Sequence, residues 1–291
     1  MTASAMTRLI VPSGMVWLAS YPKSGNTWLR ILLANLVDGA ACPQNINNLT
    51  LPFSISNSRD IFDDISLLDS LLLRNVEIER LRPAIHDAVA HDRSTGNFVK
   101  SHEAYTRSED GTPLLGRQAR AAVYMVRDPR DVAISFAFHN DVPVAESIES
   151  LNNPSYALQG SRHLRFRERL SDWSTHVTGW LDQADIPVHL IRYEDMRADT
   201  VGVFTDALVF LGIQVSADRV MRAVRHADFA ELQRQEQSND FIERMGTAPF
   251  FRQGKVGGWR ETLTADHVRT IENVHGAVMD RMGYQRECTI R

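Results

Sequence analysis

Cysteine is nearly missing from this chain: Cys42 and Cys288 are the two in 291 residues. They stand far apart and in no metal-ligand spacing, so no disulfide framework or thiolate zinc site is expected, and a reducing cytoplasm fits. Excess positive charge is missing as well. The 32 Lys and Arg against 36 Asp and Glu leave a formal net charge of −4. That balance argues against nucleic acid or a membrane surface as a general partner, while leaving room for a local basic pocket. Long apolar runs are also absent. The stretch from Leu9 to Ala19 is interrupted by Pro12, Ser13 and Gly14, is too short to span a bilayer and has no basic leader. Neither anchor nor signal peptide is expected, and no internal repeat or low-complexity segment stands out. The length suits one α/β domain over 1–291, with a loose leader over 1–14.

What is present is organised around Trp17-Leu18-Ala19-Ser20-Tyr21-Pro22-Lys23-Ser24-Gly25-Asn26-Thr27-Trp28-Leu29-Arg30. The apolar run Met15–Ala19 predicts a buried strand, Pro22 and Gly25 break it, and an apolar helix over Thr27–Val37 follows at once. Arg30 and Asn35 interrupt that helix's apolar surface, so it packs on most faces. A strand turning sharply into a helix aims backbone N–H groups and a positive dipole end at one spot. Lys23 adds a charge there, and Ser24, Asn26 and Thr27 add donors. The turn therefore predicts a phosphate or sulfate site.

Further strands are expected at Asn97–Ser101, Ala121–Val126 and Val188–Ile191. Loop is expected over Asp38–Arg59. Helices are expected over Ile61–Asn75 and Glu77–His91, with Pro83 bending the second or delaying its start. Others are predicted from Asp128-Pro129 to about His139, and over Leu164–Gln183, Thr200–Leu211, Ala217–His226 and Thr264–Met282, the last capped by Thr264. Asn152–Gly160 reads as loop and Phe229–Gly258 as largely irregular. Short apolar strands alternating with helices point to a P-loop-like central parallel sheet flanked by helices on both faces. Ligands then sit beyond the carboxyl ends of the strands, where Lys23–Trp28, Lys100–His102 and Arg127–Arg130 all fall.

The turn resembles a P-loop in position but not in sequence, because Lys23 precedes Gly25 and no strand-ending aspartate for magnesium stands out. An anion needing no metal fits better than a nucleoside triphosphate, and Trp28 is placed to stack on a base. His102 shares a strand face with Lys100, and a neutral imidazole there suits a general base, although most strand-end histidines are structural. Arg127 with Ser135 suits a terminal phosphate. The alternative pairs Arg127 with Asp128 or Asp131 and bonds Ser135 back to its own helix. Phe250 to Trp259 carries three glycines with Arg252 and Lys255, either a second phosphate-approaching segment or an ordinary basic loop.

With these clusters in order, residues 15 to 284 resemble the soluble sulfotransferases that use 3′-phosphoadenosine 5′-phosphosulfate. Tyr21–Trp28 is similar to that family's 5′-phosphosulfate loop, Tyr124–Ser135 to its 3′-phosphate segment, and Phe251–Trp259 to its glycine-rich closing segment. The resemblance implies that Lys23 holds the phosphosulfate bridge and stabilises the departing phosphate. It places Ser24, Gly25, Asn26 and Thr27 on the 5′-phosphate, Trp28, Tyr193 and Phe229 around the nucleotide, and Arg127, Ser135, Phe251, Arg252, Gln253 and Gly254 at its 3′ end. Lys100-Ser101-His102 matches the Lys-Thr-His segment, making His102 the base and Lys100 a catalytic neighbour. Asn26, Ala227, Gln253 and Gly258 depart from the common pattern. Arg260, Thr264, Ala265 and Arg269 match the animal dimer motif only in part, so no dimer is carried over. The wording around Trp17 and Ile78–Pro83 is similar to bacterial enzymes that sulfate natural products, glycopeptides among them. The implied partner is a small-molecule hydroxyl acceptor, a phenol or alcohol, with residues 38–93 as a helical insertion on the acceptor side. The chain lacks a metal-site pattern. Rival readings are a nucleotide or small-molecule kinase, and a non-catalytic module binding adenosine 3′,5′-bisphosphate.

Overall fold

The computed structural model describes residues 9, 11–51, 53–91, 96–108 and 110–287. Most of the expected leader and Cys288 lie outside them. Strand β1 (Gly14–Ser20) leads into α1 (Asn26–Asp38), and β2 (Phe53–Ile55) is followed by α2 (Arg59–Ser66) and α3 (Asn75–His91). Next come β3 (Gly96–Ser101), β4 (Ala121–Val126), α4 (Pro129–Asn140), α5 (Val144–Asn152) and the short antiparallel pair β5 (Ala157–Leu158) and β6 (Glu168–Arg169). The chain then runs through α6 (Trp173–Asp182), β7 (Val188–Arg192), α7 (Tyr193–Ala198), α8 (Thr200–Phe210), α9 (Ala217–His226), α10 (Phe229–Asn239) and α11 (Ala265–Arg281).

The five-stranded sheet has the order β2-β3-β1-β4-β7 and is parallel throughout. Alternation along β1 explains its two-sided burial. Val16 and Leu18 join a layer with Leu29 and Leu33 of α1, Phe204 of α8 and Val220 of α9. Met15, Trp17 and Ala19 join the opposite layer, with Phe136 of α4, Trp173 and Trp180 of α6 and Met279 of α11. Strands covered on both faces lack the polar alternation of a half-exposed strand, which is why they read as unbroken apolar runs. Among the described residues no helix is long and apolar enough to cross a membrane.

Several local expectations need correcting. The helix expected over Leu164–Gln183 starts only at Trp173, where Asp172 caps it by accepting from Thr175 N. Before it, Ser171 sits at φ +59° and Glu168–Arg169 pair with Ala157–Leu158, so the chain is turning and extended there. The region Phe229–Gly258 is not irregular at its start: α10 fills Phe229–Asn239, capped by Asp228. Its buried side chains are Leu232 and Glu236, too little apolar signal to betray a helix. Short β2 interrupts the loop expected over 38–59. The helix expected over Ile61–Asn75 ends at Ser66, with Leu67 left-handed at φ +57°. Pro83 lies inside α3 and neither ends nor delays it. Helices α5 and α7 carried no expectation.

A buried ion cluster pins the start of α4 to α11. Arg130 is 2% exposed, meets Asp128 and Glu272 at 2.7 Å each, and lies 3.9 Å above the Trp259 ring. Replacing Arg130 with alanine would take the buried guanidinium away from two buried carboxylates. Chemical denaturation of Arg130→Ala should show a loss of about 3–5 kcal/mol, as expected for a broken buried pair; a loss under about 1 kcal/mol would show the cluster to be dispensable.

Candidate functional site

The turn between β1 and α1 is held in a conformation the sequence pays for with glycine. Lys23 is left-handed at φ +67°, and Gly25, which caps α1, is at φ +106°. A Cβ on Gly25 would lie 2.9 Å from the Tyr193 ring and 2.8 Å from the Met125 methyl, so backbone and side-chain space both demand glycine. The first N–H groups of α1 have no acceptor within the helix and point out of this turn. Asn26 Nδ2 donates to Leu18 O at 2.8 Å, tying the helix start to the strand. Lys23 Nζ lies 3.7 Å from the centre of the Phe250 ring. Burial, then the nearby Arg127, bring Lys23 from its ordinary value to about 7. A lysine so disposed gains strongly from any anion placed beside it.

His102 follows β3 and is fixed from three sides. Its Nδ1 donates to Ser20 O at 2.9 Å, its backbone N donates to Glu168 Oε1 at 3.1 Å, and its carbonyl accepts from His176 Nε2 at 3.0 Å. A proton held on Nδ1 by a carbonyl leaves Nε2 as the lone-pair nitrogen. Burial, reinforced by Lys100, holds His102 well below the ordinary histidine value, so the ring is neutral. Behind it, Arg82 and Glu103 form a fully buried pair at 2.6 Å, and Glu103 also accepts from Arg169 N. Burial and the neighbouring Glu103 raise Glu168.

Arg127 forms an ion pair with neither Asp128 nor Asp131, the two carboxylates of the alternative expectation. Asp128 is taken by Arg130, and Asp131 accepts from Gly257 N and Trp259 N at 2.8 and 2.9 Å. Arg127 instead donates to Lys23 O at 3.2 Å and Lys255 O at 3.0 Å, and its guanidinium lies 4.3 Å from the Tyr193 ring centre. It therefore bridges the β1–α1 turn and the glycine-bearing segment. Trp28 Nε1 donates to Ala227 O at 2.9 Å, and its ring meets Tyr193 edge-on. Arg197 lies between Trp28 and Phe229, 5.5 and 5.7 Å from their ring centres. Gly254, at φ +58°, abuts the Phe229 ring, which a Cβ would meet at 2.7 Å. Tyr193 OH donates to Gly254 O at 3.1 Å.

These groups face one cavity of about 860 Å³ at the carboxyl ends of β1, β3, β4 and β7. Lys23, Gly25, Asn26, Thr27, Trp28, Lys100 and His102 line it, as do Arg127, Ser135, Tyr193, Phe229, Phe251, Arg252, Gln253 and Gly254. Ser24 is the exception among the residues singled out from the sequence. It is fully buried within the turn, and its hydroxyl has no partner among the described residues. Of residues 38–93, Ile55 and Asn57 reach the cavity, while α2 and α3 do not. Phe136 is buried, whereas Phe138 is 41% exposed beneath the Arg252 guanidinium.

Sequence reasoning passed over Glu243, Glu168, Arg197 and His139, all of which line the cavity. Burial, then Lys23, lower His139 to about 4, and its ring meets Phe250 edge-on. Glu243 accepts from Arg30 Nη2 at 2.7 and 2.8 Å and from Thr27 Oγ1 at 3.1 Å. Its Oε2 lies 3.9 Å from Lys100 Nζ. Burial alone would raise this carboxyl, but Lys100 and Arg30 overcome that and hold it at about 2. One signal was visible in the sequence: Arg30, a lone charge on an apolar helix, needs a buried partner.

The comparisons agree with this architecture. The sulfotransferase domain model matches residues 13–283. The chain is 23% identical over 282 residues to sulfotransferase 2A6 of Rattus norvegicus, covering 92% of this chain and 85% of that one. A mouse sulfotransferase, SULT7A1 complexed with PAP, superposes with a TM-score of 0.56 at 21% identity, over 91% of this chain and 84% of that one. Retinol dehydratase in complex with androsterone and PAP superposes at 0.59 and 20% identity, over 95% and 82%. With the family model spanning nearly the whole fold and its cavity-bearing turns, the chain belongs to the sulfotransferase domain family.

Proposed function

We propose that this chain moves a sulfuryl group from 3′-phosphoadenosine 5′-phosphosulfate to a hydroxyl of a small-molecule acceptor, with His102 as base and Lys23 stabilising the departing phosphate. One observation carries the reading: three strand ends bring Lys23, a neutral His102 and Arg127 to the same cavity. The residues present fit such a donor. Gly25 lines the cavity with bare backbone at a place where a Cβ would strike Met125 and Tyr193, and the buried Ser24 hydroxyl has no partner among the described residues. Lys23, Arg127 and Arg252 supply positive charge to the cavity, the Tyr193 ring lies against Arg127, and the Trp28 and Phe229 rings lie about Arg197.

When bound, the donor supplies an activated sulfuryl group. Lys23 and the α1 N-terminus would hold its 5′ end and stabilise the negative charge that grows there. Arg127, Ser135 and Arg252 would hold the 3′-phosphate, with the Gly254 backbone approaching closely because no Cβ intervenes. His102 Nε2 would take the proton of the attacking hydroxyl, and Lys100 would steady the acceptor or the sulfuryl oxygens. Retinol dehydratase has been seen with retinol, and another relative is a luciferin sulfotransferase of Photinus pyralis; both support a small-molecule acceptor. Turnover of the donor with a panel of phenols, alcohols and sugars, read by mass spectrometry of the product ester, tests the reading. In thermal shift, adenosine 3′,5′-bisphosphate should stabilise the protein and ATP with magnesium should not. The reverse preference would favour the kinase reading, and nucleotide binding without transfer would favour the binding module.

A pH prediction follows from Lys23. Its value of about 7 comes first from burial, and an anion beside it favours the ammonium form. Binding adenosine 3′,5′-bisphosphate above pH 7 should therefore take up protons, and affinity should fall as pH rises further. Calorimetry in buffers of different ionisation enthalpy reads the uptake. Net proton release would contradict this role of Lys23.

A further inference from the structure

The segment that follows α10 reaches back into the donor end of the cavity with two side chains. Glu243 accepts hydrogen bonds from the Thr27 hydroxyl and the Arg30 guanidinium, and Phe250 covers the Lys23 ammonium. The segment is tied at both ends. Asn47 donates to Asp240 O and accepts from Ile242 N, each at 2.8 Å, while Glu236 accepts from Phe250 N and Phe251 N at 2.6 and 2.9 Å. Glu243 is thus held at its post by the backbone around it.

The chemistry of Thr27 makes this arrangement exclusive. Its oxygen accepts from Arg30 Nη2 at 3.0 Å, which orients the hydroxyl, and its one proton goes to Glu243. A hydroxyl has a single proton to donate, so Thr27 cannot donate to Glu243 and to an incoming phosphate at once.

Resting on the donor reading above, we propose that Glu243 is a built-in competing anion. It holds Thr27 and Arg30 in the empty site, yields Thr27 when the donor's phosphate arrives, and thereby weakens donor binding and speeds release of the spent nucleotide. Glu243 touches no reacting atom; it is a positioning residue that sets affinity. Arg30 keeps the carboxylate close, so it returns as soon as the nucleotide leaves.

The test is a double-mutant cycle, which isolates a pairwise coupling from general effects. Affinity for adenosine 3′,5′-bisphosphate is measured by calorimetry for the natural protein, Glu243→Ala, Thr27→Val and the double variant; alanine is used because a glutamine carbonyl would still accept from Thr27. Glu243→Ala should bind about tenfold tighter, and the gain should shrink below about threefold in the Thr27→Val background. In turnover, Glu243→Ala should show a lower KM for the donor without a higher kcat. If the natural protein binds and Glu243→Ala binds equally or more weakly, the inference alone is overturned. An equal gain in both backgrounds also overturns it, because the carboxylate would then act through its field and not through Thr27. If none of the four binds the nucleotide, the donor reading falls and takes the inference with it. Should Glu243→Ala lack a cooperative melt, Glu243→Asp replaces it in the cycle: its shorter reach loosens the grip on Thr27, and a change in the same direction is expected.

Discussion

Replacing His102 with alanine should lower turnover by about two to four orders of magnitude, the usual worth of a positioned general base, while affinity for adenosine 3′,5′-bisphosphate changes by less than about threefold. The two effects separate because of where His102 sits. It follows β3, while the charged groups proposed for the nucleotide come from the β1–α1 turn, the β4–α4 turn and the Gly254 segment. Its Nδ1–H is directed at Ser20 O, with Ser20 Oγ at 3.3 Å, so the loss removes one side chain and its contacts with that one serine at the cavity wall. His176 keeps its hydrogen bond to the residue 102 carbonyl and Glu168 keeps the backbone N–H, since both contacts are to main chain. The strand end therefore stays in place. Burial, then Lys100, hold the ring below its ordinary value, so the natural protein should show no loss of rate from protonation of this histidine near neutral pH. Steady-state kinetics with calorimetry on the same preparation reads both quantities. Full activity would remove His102 as the base; a matching collapse of nucleotide affinity would make it a structural residue.

The parts legible in the sequence are those whose cause is local. Met15–Ala19 is apolar at every position because both faces of β1 are covered. Gly25 and Pro22 break it where the turn must be left-handed, and Asp128-Pro129 carries its own cap and first helical residue. Contacts made over long separations were hidden. Glu243 meets Arg30 across 213 positions, and no spacing rule connects a carboxylate in a polar loop with an arginine on a distant helix. The same holds for Glu168. The stretch 164–172 has helical spacing, yet Glu168 serves the His102 backbone and, with Arg169, pairs with β5. Tertiary demand there outweighs local propensity. Helix α10 failed for the opposite reason: it buries so little apolar surface that periodicity has nothing to mark.

Replacing Lys23 with alanine should differ from His102→Ala by damaging binding and rate together. Lys23 is the cation of the turn itself, left-handed at φ +67° and pressed between the Phe250 ring and Arg127. Removing a preorganised donor from the place where charge develops costs on the order of 10²–10³ in rate. The loss of a buried ammonium from a phosphate site adds a drop in affinity of about tenfold or more. Two details let the substitution report on charge more than on folding. Alanine tolerates the left-handed region less well than glycine, so Lys23→Gly provides a matched variant without the backbone strain. Phe250 loses its cation partner in both variants, so any rearrangement of that ring is common to the pair. Lys23→Ala and Lys23→Gly should therefore share the kinetic defect while the glycine variant melts no lower than the alanine one. Kinetics that match the natural protein in either variant would refute the role of Lys23. A large defect in alanine that glycine restores would assign the effect to the turn's backbone. Lys23→Arg sharpens the point further: it keeps the charge but adds bulk in a site already closed by Phe250. Its activity should fall between the natural protein and Lys23→Ala, because the cavity rewards a compact point charge at this position over a planar fork.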